Sequence, residues 1–300
     1  MDDIRSDKMV DRGEAWALAA LIAGALSIAF APIFVRLSET GPVTTAFWRV
    51  LLSLPLVALW ARIETPRPAA GTKPPKLLLA LAGLLFAGDL GLWHLSVEMT
   101  SVANSTFLVN LAPILVGLAA WMLFGERLRP PYFAGLALAV VGAGLLVRAS
   151  LDFSATSVRG DVTALIAAFL YAGYQLTVKQ LRETCSTAQI MLGSGSVATL
   201  ALFVMAVALG ERLVPATGSG WLVLVAVALI CQLAGQSLIT YAMAHLPAAL
   251  SSISLLVQPV AAALLAWALF GEALGVLQIL GGGAVLAGIS FARTGTSRGG

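Results

Sequence analysis

Residues 120–126, Ala120-Trp121-Met122-Leu123-Phe124-Gly125-Glu126, recur as Ala266-Trp267-Ala268-Leu269-Phe270-Gly271-Glu272, with six identities in seven at an offset of 146. The same offset brings Ala103 onto Ala249, Ser105 onto Ser251 and Pro113 onto Pro259. It continues past the motif, aligning Leu128 with Leu274, Gly135 with Gly281 and Gly142 with Gly288. Self-similarity at a fixed period signals a repeated structural unit, so the nature of this hairpin decides the nature of the chain.

The composition identifies it as membrane-embedded. Of 300 residues, 59% are hydrophobic and 11% charged, with a mean hydropathy of +0.93, where soluble proteins carry about 25% charged residues. A soluble fold of this size could not hide so much apolar surface from water. The net charge of +3 comes from 18 Lys and Arg scattered between apolar runs, none dense enough to track phosphates, so no nucleic-acid partner is expected. Two cysteines, Cys185 and Cys231, exclude a disulfide framework. Two histidines, His94 and His245, exclude the His-rich boxes of membrane di-iron enzymes. There is no His-Glu-x-x-His, Gly-x-Ser-x-Gly, Cys-x-x-Cys or Walker motif, so neither a metal, a cofactor nor ATP-driven pumping is expected. The lipid bilayer and a small organic solute remain as partners, and the chain is expected to act as a monomer.

About 20 apolar residues span a bilayer. Runs of that kind lie at 15–35, 44–61, 77–99, 103–124, 130–147, 162–178, 188–209, 221–242, 248–270 and 274–291. The eighth and ninth come from one stretch, 213–271, free of Lys, Arg, Asp and Glu, which His245-Leu246-Pro247 divides. The fold expected is an all-α polytopic membrane protein of ten transmembrane helices. With both termini inside, 13 basic residues fall on the cytoplasmic side and four (Arg36, Arg148, Arg159, Arg212) outside, leaving Arg49 within a span. This is a positive-inside vote for both termini in the cytoplasm, and the chain is expected in the cytoplasmic (inner) membrane.

The repeats lie five spans apart, and an odd number of crossings makes them run oppositely through the membrane, as in secondary transporters. The charges agree. The first hairpin carries Arg127 and Arg129, where the second has Ala273 and Gly275. The domains expected are a cytoplasmic tail (1–14), a first five-helix repeat (15–147), an external linker (148–160), a second, inverted repeat (161–291) and a cytoplasmic tail (292–300).

A mid-helix proline, then Trp-x-Leu-Phe-Gly-Glu, then a Gly-rich helix, twice over, resembles the ten-helix EamA-type members of the drug/metabolite transporter superfamily. Gly41-Pro42 followed by Phe47-Trp48-Arg49 is similar to that family's first-repeat pattern. The resemblance covers about residues 15–291 and implies a secondary transporter working by alternating access, not an enzyme. In size and layout it is most similar to the bacterial amino-acid exporters, including those handling aromatic amino acids. In the second repeat the seventh helix has no arginine, and Met191 falls near where Trp48 would align. Open alternatives are a multidrug or other metabolite exporter, proton-coupled, and a membrane-embedded enzyme.

Polar residues inside spans are expensive and should face the protein interior. Gln232, Gln236 and Thr240 are spaced i, i+4, i+8, and Ser251, Ser254 and Gln258 i, i+3, i+7. Asn110 (with Asn104 and Thr106), the Tyr171-Tyr174-Gln175 group and His94 complete the expected substrate-binding set. Neutral donors and acceptors with aromatic rings suit a mixed polar and apolar organic solute better than a bare ion. Arg49 and Asp89 are the strong charges deep in spans. An ion pair between them is the simplest reading, with substrate coordination and proton coupling through Asp89 as alternatives. Pro113 and Pro259 are expected to kink their helices as hinges or cavity-shaping positions. Gly125-Glu126 and Gly271-Glu272 are expected to close one helix with the glycine and favour the next helix's first turn with the glutamate.

Overall fold

The computed structural model describes residues 2–64, 75–100, 102–147, 155–270 and 275–297. Among the described residues there are ten apolar helices. Nine are long enough to cross a membrane: Gly13–Leu37, Pro42–Ile63, Lys76–Met99, Ser105–Phe124, Thr156–Leu181, Thr187–Ala208, Gly218–Ala242, Ala248–Leu265 and Val276–Gly295. A shorter one, Pro130–Leu146, lies between the fourth and fifth of these. Numbered in chain order, they are spans 1 to 10.

Some edges fall elsewhere than the apolar runs suggest. Helix already begins at Asp2 within the expected tail, the sixth helix begins at Ala155 within the expected linker, and the last continues past 291 to Gly295. Helices extend past the hydrophobic stretch wherever polar residues leave the winding intact.

Span 3 packs between spans 6 and 7; span 2 packs on 7; span 1 packs on 8 and 9; span 4 touches 6 and 9; spans 5 and 10 pair with each other. Alanines dominate the contacts (Ala17, Ala25, Ala82, Ala139, Ala167 and Ala198 are buried), while Leu84, Phe169, Leu200 and Leu280 face outward. Small residues let helices approach closely where lipid offers apolar side chains nothing to escape.

Spans 5 and 10 show the direction of the repeats. A Cβ added to Gly142 would lie 2.6 Å from the Gly281 carbonyl oxygen, and one added to Gly288 would lie 2.6 Å from that of Gly135. The 146 offset makes Gly135 the counterpart of Gly281 and Gly142 that of Gly288. Each glycine therefore meets the counterpart of the other, an exchange possible only when equivalent helices run antiparallel. The halves are also stitched by a short ladder, Arg127–Leu128 against Thr296–Ser297.

Four spans are broken. Two-residue turns at Ala29-Phe30, Leu52-Ser53, Asn110-Leu111 and Leu255-Leu256 divide spans 1, 2, 4 and 9. Each is followed within three residues by proline: Pro32, Pro55, Pro113 and Pro259. Here the structure corrects the reading of Pro113 and Pro259 as kinks in the interior of continuous helices. Both sit in the first turn of a new helix (Ala112–Phe124 and Val257–Phe270), where a missing N–H costs nothing. Span 8 is irregular in another way. Residues Val227–Gln236 are wound as a π-helix between α-helical ends.

The glutamates at the helix ends are a second correction. Gly125 takes the left-handed conformation (φ 63°) and closes its helix as expected. Glu126, however, does not serve the neighbouring helix. Its carboxylate accepts the amides of Ala248 (2.6 Å) and Ala249 (3.1 Å) at the start of span 9. Glu211 accepts those of Val43 (3.1 Å) and Thr44 (2.7 Å) at the start of span 2. Glu64 accepts the Ala188 amide (2.8 Å) and the Ser186 hydroxyl (2.6 Å) at the start of span 7. Glu39 accepts the amides of Ala216 (2.8 Å) and Thr217 (3.0 Å) and the Thr217 hydroxyl, before span 8. Unpaired amides and the positive dipole end make a helix start a natural anion seat, and each seat here is filled from the opposite half. Gly271-Glu272 lies outside the described residues.

Candidate functional site

The broken helices and the π-wound segment meet at one central cavity. Ile28 of span 1 and Arg49 of span 2 reach it from just before two of the breaks. Span 3 supplies a full face in Phe86, Asp89, Leu90 and Trp93, spaced i, i+3, i+4, i+7. Thr106, Val109 and Asn110 come from span 4, Tyr171 from span 6, Gln236 from span 8 and Gln258 from span 9. Both halves therefore build the walls. Broken and π-wound helices suit such a place, because non-helical backbone is tolerated at membrane depth only where it lines a cavity or is covered by protein.

The predicted site residues divide into three groups. Asn110, Tyr171, Gln236 and Gln258 line the cavity together with Arg49 and Asp89. A second group stands behind it. Gln236 Nε2 donates to the Tyr174 hydroxyl (3.2 Å), and the Tyr174 ring stacks on Phe86 at 4.7 Å between centroids. Gln232 accepts a hydrogen bond from Arg49 Nε at 3.2 Å, and the Thr240 hydroxyl meets Met191 Sδ at 3.7 Å. The polar stripe of span 8 therefore meets three different partners, Arg49, Tyr174 and Met191.

The third group is elsewhere. His94 is fully buried with Nδ1 2.9 Å from the Pro42 carbonyl, fastening span 3 to the start of span 2. The Ser254 hydroxyl donates to its own helix at Leu250 (2.8 Å). Ser251 and Gln175 are buried, and their side-chain polar atoms have no protein partner among the described residues. Pro113 and Pro259 flank the breaks rather than the cavity.

Arg49 and Asp89 share the cavity without touching. Among the described residues they form no ion pair. Arg49 Nη1 has no partner among the described residues although Arg49 is 2% exposed. Trp93 Nε1 and Thr106 Oγ1, also of cavity-lining residues, are likewise buried and without partners among the described residues. Trp93 as a donor in search of an acceptor is the feature the sequence reading missed. Its spacing to Phe86 and Asp89 on one helix face was the available signal. Among the described residues no cluster of three His, Cys, Asp or Glu could hold a metal ion.

A family model of EamA-like transporters matches residues 12–148 and again 158–294. The chain belongs to the EamA-like transporter family. Proteins similar to it include an uncharacterized transporter of Archaeoglobus fulgidus, 25% identical over 91% of this chain and 95% of that protein. The pseudopaline exporter CntI of Pseudomonas aeruginosa is 29% identical over 78% of this chain and 86% of its own length. The threonine/homoserine exporter RhtA of Escherichia coli is 27% identical over 82% and 79%. A solved crystal structure shares the fold with a TM-score of 0.71 at 20% identity, covering 94% of this chain and 98% of that one. The EamA-like chain is thus a multi-pass membrane transporter built of two repeats, and not an enzyme.

Proposed function

We propose that this transporter exports small organic metabolites, amino acids foremost, from the cytoplasm across the inner membrane by alternating access. The observation that carries this reading is the central cavity. It is drawn from both repeats, seated where spans 1, 2, 4 and 9 break, and walled by neutral amides and aromatic rings beside two charges. Rocking of one repeat against the other about such a site exposes it to each side in turn. The exporters CntI and RhtA among the relatives support the direction and the solute class, and Phe86, Trp93 and Tyr171 favour solutes with apolar or aromatic side chains. One chain supplies both repeats and completes the cavity, so a monomer suffices. The positive-inside distribution supports an orientation with both termini in the cytoplasm.

Uptake of radiolabelled amino acids into proteoliposomes, with and without a pH gradient, tests the proposal. Accumulation or counterflow of at least one amino acid is expected, slowed about fivefold by Gln236→Leu, the loss of roughly one hydrogen bond to the solute. No movement of any amino acid or related metabolite would overturn it. Acceleration by the gradient, abolished in Asp89→Asn, would favour proton coupling.

A further inference from the structure

We infer that the cavity recognises the two poles of an unmodified zwitterion, its carboxylate held by Arg49 and Trp93 and its ammonium by Asp89. The inference rests on the transport reading above and names what that site selects.

The argument begins with what each group lacks. Arg49 and Trp93 have no acceptor capacity; their N–H groups can only donate. Arg49 Nη1 and Trp93 Nε1 are both buried, both belong to cavity-lining residues and both lack an acceptor among the described residues. Orphaned donors of this kind are rare in folded proteins, and each calls for an explanation. The acceptor that satisfies a guanidinium best is a carboxylate, whose two oxygens also leave room for an indole N–H. Asp89, 6% exposed on the same wall, presents the complementary need: as a carboxylate it can only accept.

The charge balance then narrows the class. Arg49 and Asp89 are the two charged residues among those lining the cavity, one of each sign. They are held apart, so each bears the cost of leaving water without direct contact with the other. A purely cationic solute would answer Asp89 and leave Arg49 unanswered, with a net charge buried. A purely anionic solute would do the reverse. A dipolar solute completes both and buries no net charge. Its side chain is left to the rings of Phe86 and Tyr171, which favour apolar and aromatic groups without distinguishing closely among them, so the sharper selection falls on the poles.

The test uses the whole transporter in proteoliposomes. Each of the twenty proteinogenic L-amino acids is tried as a counterflow substrate. The best is then competed by L-phenylalanine and L-leucine and by their one-pole analogues: phenethylamine and isoamylamine, hydrocinnamic acid and 4-methylpentanoic acid. The amino acids should compete about ten- to a hundredfold better than either analogue, the worth of one charged hydrogen-bonded contact. In Arg49→Gln the advantage over the amine should fall sharply, Trp93 alone remaining to hold the carboxylate, and in Asp89→Asn the advantage over the acid should vanish. Equal competition by a one-pole analogue in the unmodified protein overturns the inference, whether or not the variants fold. Transport of an amine, a carboxylic acid or a dye but of no amino acid also overturns it, while leaving the transporter reading intact. Failure to move any solute overturns both.

Discussion

Glu64 and Glu211 cap each other's helices. Glu64, at the end of span 2, holds the start of span 7 through the Ala188 amide, and Glu211, just past the end of span 7, holds the start of span 2 through the Val43 and Thr44 amides. Spans 2 and 7 are equivalent members of the two repeats. The exchange is therefore the inverted symmetry expressed in hydrogen bonds, at both ends of one helix pair. Glu126 does the same for span 9, from the end of span 4.

Glu126 should be the costliest of these carboxylates to remove, because it is 8% exposed and its two amide partners lie at a buried helix start. Glu126→Ala strands both donors and should destabilise the protein by about 1–3 kcal/mol. Glu126→Gln, which keeps an acceptor oxygen, should cost about half as much. Thermal unfolding in detergent reads the difference, and equal melting temperatures for wild type and Glu126→Ala would remove the cap from the account.

Glu39 offers a pH test. Its carboxyl is held below the usual carboxylate range, first by the Thr217 hydroxyl and then by the amides of Thr217 and Ala216. A depressed folded-state value means the unfolded chain binds more protons in that window, so stability gained from ionised Glu39 is present above the ordinary range and lost as pH falls through the folded value. Glu39→Gln should therefore melt below wild type by a constant margin at neutral pH. That margin should shrink on acidification. A margin that does not change with pH would show the carboxylate's charge to be irrelevant.

The interface of spans 5 and 10 predicts two opposite outcomes from similar changes. Gly142→Ala drives a methyl against the Gly281 carbonyl and should lower stability by about 1–3 kcal/mol through overpacking. Gly283 lies on the same helix as Gly281 with nothing within 4 Å of an added Cβ. Gly283→Ala should leave the melting temperature unchanged or raise it. Similar losses from both would mean that glycine matters here through the backbone rather than the contact.

Topology can be checked directly. Cysteines introduced singly in the 125–130 and 271–275 loops should be labelled from opposite sides of the membrane, the first from the cytoplasm. Labelling from one side would contradict the inverted arrangement and the proposed orientation with it.

The fold was readable because its signals are local or periodic. The 146-residue offset, the apolar runs and the loop arginines all survive in one dimension, and the repeat even pairs the right glycines once the helices are known to be antiparallel. The helix breaks were half readable. Pro113 and Pro259 stood out because the repeat aligns them, while Pro32 and Pro55 carried the same signal without a partner to draw notice. The caps were not readable, because Glu126 meets Ala248 across 122 residues and nothing beside either names the other. Nor was the π winding of Val227–Gln236, whose apolar run is as compatible with an α-helix. Within it Gln232 meets Arg49 and Gln236 lines the cavity. His94 was drawn toward the site because the 146 offset aligns it with Thr240 of the span 8 stripe, yet the Pro42 carbonyl holds it against the start of span 2.

The crossed caps bear on how such a chain could have arisen and how it is made. A single five-helix half, inserted alone, would have helix starts waiting for carboxylates that only another copy can bring, so two copies side by side in opposite orientations would have completed each other before any linker joined them. The present chain should retain that capacity. Residues 1–154 and 155–300, produced as separate polypeptides in one cell, should co-purify and recover transport, whereas either alone should be degraded. During synthesis the start of span 2 must wait for Glu211, so the first half stays unfinished in the membrane until most of the second has followed it.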